Sequence, residues 1–248
     1  MVKGLMDHEI AELHKYRFRA ALINSFKVAD LLDEKYLKWF MENLTIIIQA
    51  PSEKISASIF IKRYAFVMVA SLYAMTVWNK KVDLSLDKLS MEIPEQGKDW
   101  LPSFSLQEII IQDWNGNDRT EWMKMVYQGL FAENINLLIE KFEKTLNISR
   151  LIMWENIVVY LFWLYEKELK HIAIDHITED FHFLIFEAEG NLFGQYKGNP
   201  LQKYFSEKTY VADLDEELRV RKTCCFNYQL QKASKHCKIC PCAFVFTD

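Results

Sequence analysis

Apolar side chains recur every three to four residues along most of this chain and alternate in only one short stretch, so helices are expected to carry the fold. Ile10, Leu13, Tyr16, Phe18, Ala21 and Leu22 set a helical spacing over residues 8–27. Tyr36, Trp39, Phe40 and Leu44 share one side of a second predicted helix over 31–49. Residues 58–80 are apolar nearly all round, the pattern of a helix at the centre of a fold. The longest apolar run there, 64–78, has fifteen residues including Ser71 and Thr76. A membrane crossing needs about 20, so a buried core helix is the expectation.

Between 82 and 106 the pattern changes. Val82, Leu84 and Leu86 alternate with Asp83, Ser85 and Asp87, as in a strand with one solvated face. Residues 91–93 and 104–106 are expected to pair with it, residues 109–111 extend the sheet, and 115–118 (Asn-Gly-Asn-Asp) form a turn. Helical spacing then resumes over 121–145. Asn147, Ile148 and Ser149 offer a cap for an apolar helix over 150–171, and residues 178–189 start another. Glu155 interrupts the apolar stripe of the 150–171 helix, and its expected place is the solvent face.

The predicted fold class is therefore mainly α with a small β component (α+β). A helical domain over 1–205 would be followed by a cysteine-rich segment, 206–248, packed on it. Half the residues are apolar, and seven glycines and five prolines leave few breaks, which suits long helices. A net charge of −4 argues against bulk nucleic-acid binding. Residues 1–19 are charged and amphipathic with no apolar signal core, so a cytoplasmic protein is expected.

All five cysteines lie in the last 25 residues: Cys224, Cys225, Cys237, Cys240 and Cys242. An adjacent pair, a gap of eleven residues and a C-x-x-C before Pro241 form a thiolate set for a metal or a cluster. Neighbouring side chains of extended backbone point apart, which suits a two-iron cluster better than a single tetrahedral zinc. Zinc and a pair of disulfides remain the alternatives, the latter disfavoured in a reducing compartment.

The run Arg221-Lys222-Thr223-Cys224-Cys225-Phe226-Asn227-Tyr228 followed by Cys237-Lys238-Ile239-Cys240-Pro241 resembles the motif of the FhuF-like ferric-siderophore reductases. Gly198-Asn199-Pro200-Leu201 is similar to a loop of the same class. The resemblance covers about the last fifty residues in specific motifs and the whole chain in length. It implies a 2Fe-2S cluster ligated by Cys224, Cys225, Cys237 and Cys240. It further implies one-electron reduction of siderophore-bound Fe(III) in the cytoplasm; the lack of a dinucleotide fingerprint adds the expectation that electrons come from a separate donor, a ferredoxin, flavodoxin or reductase. The eleven-residue gap is one longer than expected for the family, and Cys242 is extra: a spare thiol, an alternative ligand or a cluster-exchange site.

Residues 218–247 contain Arg219, Arg221, Lys222, Lys232, Lys235 and Lys238 and no acidic residue. Cations favour an anionic cluster and suit an anionic ferric chelate, which makes Arg219, Arg221 and Lys222 the candidate substrate contacts, unless they only balance the cluster. Phe226 and Tyr228 are candidates to shield the cluster from water, or plain core residues. His236 is a candidate donor or alternative ligand beside Cys237; the other five histidines lack ligand spacing and read as ordinary surface or core residues. No G-x-G-x-x-G occurs, so the chain shows no dinucleotide site of its own. Two rival readings stand beside the reductase: a non-catalytic iron–sulfur carrier or sensor, and a structural zinc module on a helical binding domain.

Overall fold

The computed structural model describes residues 4–96, 99–233 and 235–243, so the tips of the amphipathic start and of the cysteine segment, 1–3 and 244–248, lie outside the described residues. Helix α1 (Asp7–Lys15) stops well short of residue 27. Arg17 ends it by adopting a left-handed φ of 69°. Phe18 then bridges to Phe104, and Ser25–Lys27 forms strand β1 instead of more helix. A 3-10 turn, Val28–Leu32, leads to α2 (Glu34–Ile47), whose first turn is capped by Asp33 accepting from the Tyr36 N–H at 2.8 Å.

Helix α3 (Glu53–Trp78) is the axis of the molecule. Phe60, Tyr64, Val67, Met68, Leu72 and Met75 are each fully enclosed, and burial of a large apolar side chain contributes about 1.5–3 kcal/mol. Among the described residues it is the one helix long and apolar enough to cross a membrane. Its most apolar window is 83% buried inside the fold, which fits the core helix expected from the sequence.

The β component is smaller and differently paired than the alternation suggested. Strand β2 (Lys80–Val82) ends before Leu84 because Asp83 turns the chain. Its carboxylate accepts from the Ser85 N–H and hydroxyl and pairs with Lys88 at 2.6 Å. Leu84 and Leu86 are buried nonetheless. Strands β3 (Leu89–Glu92) and β4 (Phe104–Leu106) pair antiparallel, with β1 on the other edge of β3. Strand β5 (Ile111–Asp113) pairs with β2 in a separate two-stranded sheet, so residues 109–111 do not extend the first one.

The helix expected over 121–145 is a single rod of three parts. Helix α4 (Arg119–Leu130) runs through a π turn, Phe131–Ile135, into α5 (Asn136–Leu146). Asn134, in that wider turn, faces inward and accepts from the Tyr64 hydroxyl at 2.6 Å. Helix α6 (Arg150–Trp163), capped by Ser149, lies along α3 in the largest helix–helix contact. It continues as a π turn, Leu164–Glu168, before the short α7 (Ile177–His182). Asn199 closes the following loop by donating to the carbonyls of Leu184 and Ile185. The hairpin of β6 (Thr209–Val211) and β7 (Glu216–Leu218) then delivers the chain to the cysteines. With about 54% helix and 10% strand in small sheets, the molecule is the mainly helical α+β fold that the pattern predicts.

Candidate metal centre

Two polar residues on α6 hold the first cysteine arm. Glu155 is 3% exposed, not on the solvent face where the apolar stripe suggested it would lie. Its two oxygens accept from the backbone N–H groups of Lys222 and Thr223, both at 2.6 Å, and from the Thr223 hydroxyl. The Arg221 Nε lies 3.8 Å away. Next to it, Asn156 accepts from the Arg221 guanidinium at 2.6 Å and donates to the Ser58 carbonyl and hydroxyl. Ser58 on α3 in turn donates to the Cys225 carbonyl at 2.9 Å. A carboxylate in an apolar helix is costly to bury unless it is saturated with donors, and the loop backbone supplies them.

The residue after the adjacent cysteines turns the chain. Phe226 is left-handed (φ 61°, ψ 11°), and its N–H donates to the Cys224 Sγ at 3.3 Å. A 3-10 turn, Asn227–Gln229, follows, and the loop returns with the Tyr228 ring stacked on His236 at 4.2 Å. That contact turns His236 into a packing partner of Tyr228. The C-x-x-C arm is folded as a tight turn, the Cys240 N–H donating to the Cys237 carbonyl at 3.0 Å. Arg221 N–H to the Ile239 carbonyl, also 3.0 Å, ties the two arms together.

All five thiols are free. Cys224 and Cys240 stand with their sulfurs 3.6 Å apart, too far for a disulfide. Two thiolates on one tetrahedral metal at about 2.3 Å would lie about 3.8 Å apart, so this spacing fits a shared ion. Cys242, expected outside the ligand set, joins them: the three sulfurs lie within 4.8 Å of one another. Cys225 and Cys237 form a second pair, near enough that each shifts the other's titration. The Cys237 thiol, with Lys62, Arg221 and the Asn227 N–H, holds Cys225 down at about 4 despite its burial. Cys237 is pushed up by Cys225 and by its own burial. Cys224 is raised to about 12, chiefly by burial. The cysteine cluster can thus hold a metal ion, and loading it would displace protons, which makes affinity pH-dependent.

Of the three candidate substrate contacts, two are engaged inside the fold. Arg219 lies between the rings of Phe162 (4.3 Å) and Phe205 (4.5 Å) and bonds Glu166 and the Ser206 carbonyl, each at 2.7 Å. Arg221 is buried against Asn156 and Glu155. Only Lys222 is exposed. Lys232 and Lys238 reach Asp99 and Glu216, so part of the basic stretch is neutralised by acids from elsewhere.

The cation that does reach a sulfur comes from far upstream. Lys62 on α3 donates to the Cys225 Sγ at 3.7 Å. Ser58 and Lys62, one turn apart on a predominantly apolar helix, and the Glu155-Asn156 interruption of α6 were the available signals for this framework. Neither a comparison with protein-family models nor one with curated protein sequences finds a match for this chain.

Proposed function

We propose that this chain is a ferric-siderophore reductase of the FhuF-like type, carrying a 2Fe-2S cluster on Cys224, Cys225, Cys237 and Cys240. The observation that carries this reading is the two-by-two gathering of thiols. Each pair takes one cysteine from the Cys-Cys dipeptide and one from the C-x-x-C turn: Cys224 with Cys240, and Cys225 with Cys237. Two thiolates per iron is the donor set of an all-cysteine two-iron cluster, and in this reading each pair serves one iron.

When bound, such a cluster supplies one-electron transfer at a potential set by its surroundings. The residues of this chain set those surroundings. Lys62 and the internal Arg221 stabilise added negative charge and raise the potential. The Phe226 N–H donates to a ligand sulfur, with the same effect. Phe226 and Tyr228, both half-buried, limit water at the loop. The substrate is a ferric chelate whose oxygen donors grip Fe(III) far more tightly than Fe(II), so the arrival of one electron loosens it. That electron comes from a separate donor protein. The reaction is read as cytoplasmic, where five free thiols stay reduced.

A second reading is a mononuclear zinc site on Cys224, Cys240 and Cys242, favoured by their mutual separation within 4.8 Å. Anaerobic purification followed by visible absorption, iron and acid-labile sulfide analysis decides between them. The reductase reading expects a brown protein with about two irons and two sulfides that bleaches with dithionite and is reoxidised by a ferric siderophore. A colourless protein with stoichiometric zinc would overturn it. A bleached cluster that no ferric chelate reoxidises would leave an electron carrier or sensor.

A further inference from the structure

Arg219 and Arg221 are held internally, and a different set of cations is left without carboxylate partners among the described residues. On α3, Lys62 and Arg63 are half-buried, and among the described residues neither forms an ion pair with a carboxylate. Arg17 approaches the same helix face, its guanidinium 4.2 Å from the centre of the Phe66 ring. One guanidinium nitrogen of Arg17 and one of Arg63 are buried with no hydrogen-bond partner. The charge of Arg17 is disfavoured by burial first and by Arg63 next, with Arg19 adding to the repulsion. Arg17 also sits at a φ of 69°, a backbone conformation that costs a non-glycine residue about 1 kcal/mol or more.

Like charges brought together, partly desolvated and presented from a strained backbone, are unfavourable in a fold unless something else gains from them. The frame around them indicates what. Phe66, Tyr160 and Trp163 are half-buried, and Phe66 packs on both of the others, 5.1 Å from Tyr160 and 6.4 Å from Trp163 between ring centres. Phe66 is one helical turn, about 6 Å, along α3 from Lys62, whose ammonium touches Cys225. The face therefore combines aromatic surface with three positive charges and abuts the thiols.

We propose that Arg17, Lys62 and Arg63, framed by Phe66, Tyr160 and Trp163, form the docking face for an anionic iron chelate of the catecholate class. The assignment rests on the reductase reading for its purpose and on the unpaired arginines for its place. Guanidinium groups donate to paired oxygens in a plane, and catecholate rings offer both such oxygens and faces to stack on aromatic side chains.

The test uses the full chain and a hexadentate gallium(III) tris(catecholate), trianionic and redox-inert, titrated by calorimetry beside an uncharged gallium tris(hydroxamate). Binding of the anionic complex is expected to weaken tenfold or more in Arg63→Gln and in Arg17→Gln and to vanish in the double variant. Arg63→Lys should recover part of the affinity, with circular dichroism showing each variant folded. Equal binding by the parent and the double variant, or equal binding of the uncharged complex, would overturn the docking face. A protein with full iron and sulfide that ignores the gallium complex would sink this face and leave the cluster reading standing. Arginine-dependent gallium binding by a protein without iron–sulfur would support the face and sink the reductase.

Discussion

The helical frame and the cysteine loop of this protein are held by different physics. Along α3 and α6 the contacts are apolar and close-packed, with Phe60, Met68, Ile157 and Leu161 fully enclosed. The loop over 219–243 has almost no apolar core of its own. Its place is set by directed hydrogen bonds, three of them to Glu155 alone, and by contacts between its own sulfurs. Packing tolerates small shifts of many atoms, whereas a donor–acceptor scheme of this kind depends on single groups. The frame can therefore be stable without a metal, while the loop takes its final geometry from a few polar anchors and whatever the thiols bind.

The strongest way to separate the two is Cys240→Ser. It should abolish metal binding, read as loss of metal content and visible absorption, while far-UV circular dichroism of the frame stays unchanged. A loss of helix signal as well would mean that the frame depends on the metal. Phe60→Ala tests the converse and should cost about 3–5 kcal/mol in chemical denaturation, as expected for a deleted buried aromatic ring. Glu155→Ala sits between them. Leaving two loop N–H groups without their acceptor and Arg221 without its ion-pair partner should cost about 3 kcal/mol and speed the release of metal to a chelator. Unchanged release would show that the anchor does not govern the loop. The smallest effect is expected from Cys242→Ser. The two-by-two ligand reading predicts a spectrum nearly identical to the parent, and loss of the metal would instead favour the trio with Cys224 and Cys240.

What the sequence made legible follows the same division. The pattern located α3 within a few residues, because an all-round apolar run too short to cross a membrane reads as a core helix, and the cysteine spacing located the thiols. The early end of α1 was hidden, since the spacing of Phe18, Ala21 and Leu22 is compatible with a helix that Arg17 ends by its backbone conformation. Glu155 was visible as an interruption but was read outward, because the donors that satisfy it lie 67 and 68 residues away. Arg219 and Arg221 looked free for the same reason: their partners Glu166, Asn156 and Glu155 belong to another element. Charge along a sequence says little about charge left over once distant acids have been met.

The unequal tethering of the two cysteine arms has a consequence for how the site is filled. The Cys224–Cys225 arm is pinned to both α3 and α6 through Ser58, Asn156 and Glu155, whereas the C-x-x-C arm is tied back by the Arg221–Ile239 bond and by its sulfurs. Filling should then be sequential: a metal ion would meet the pinned Cys224–Cys225 arm first, and the second arm would close over it like a clasp. In metal-free protein the Arg221–Cys225 amides should exchange with deuterium more slowly than those of Cys237–Cys240, a difference that closing the clasp would erase.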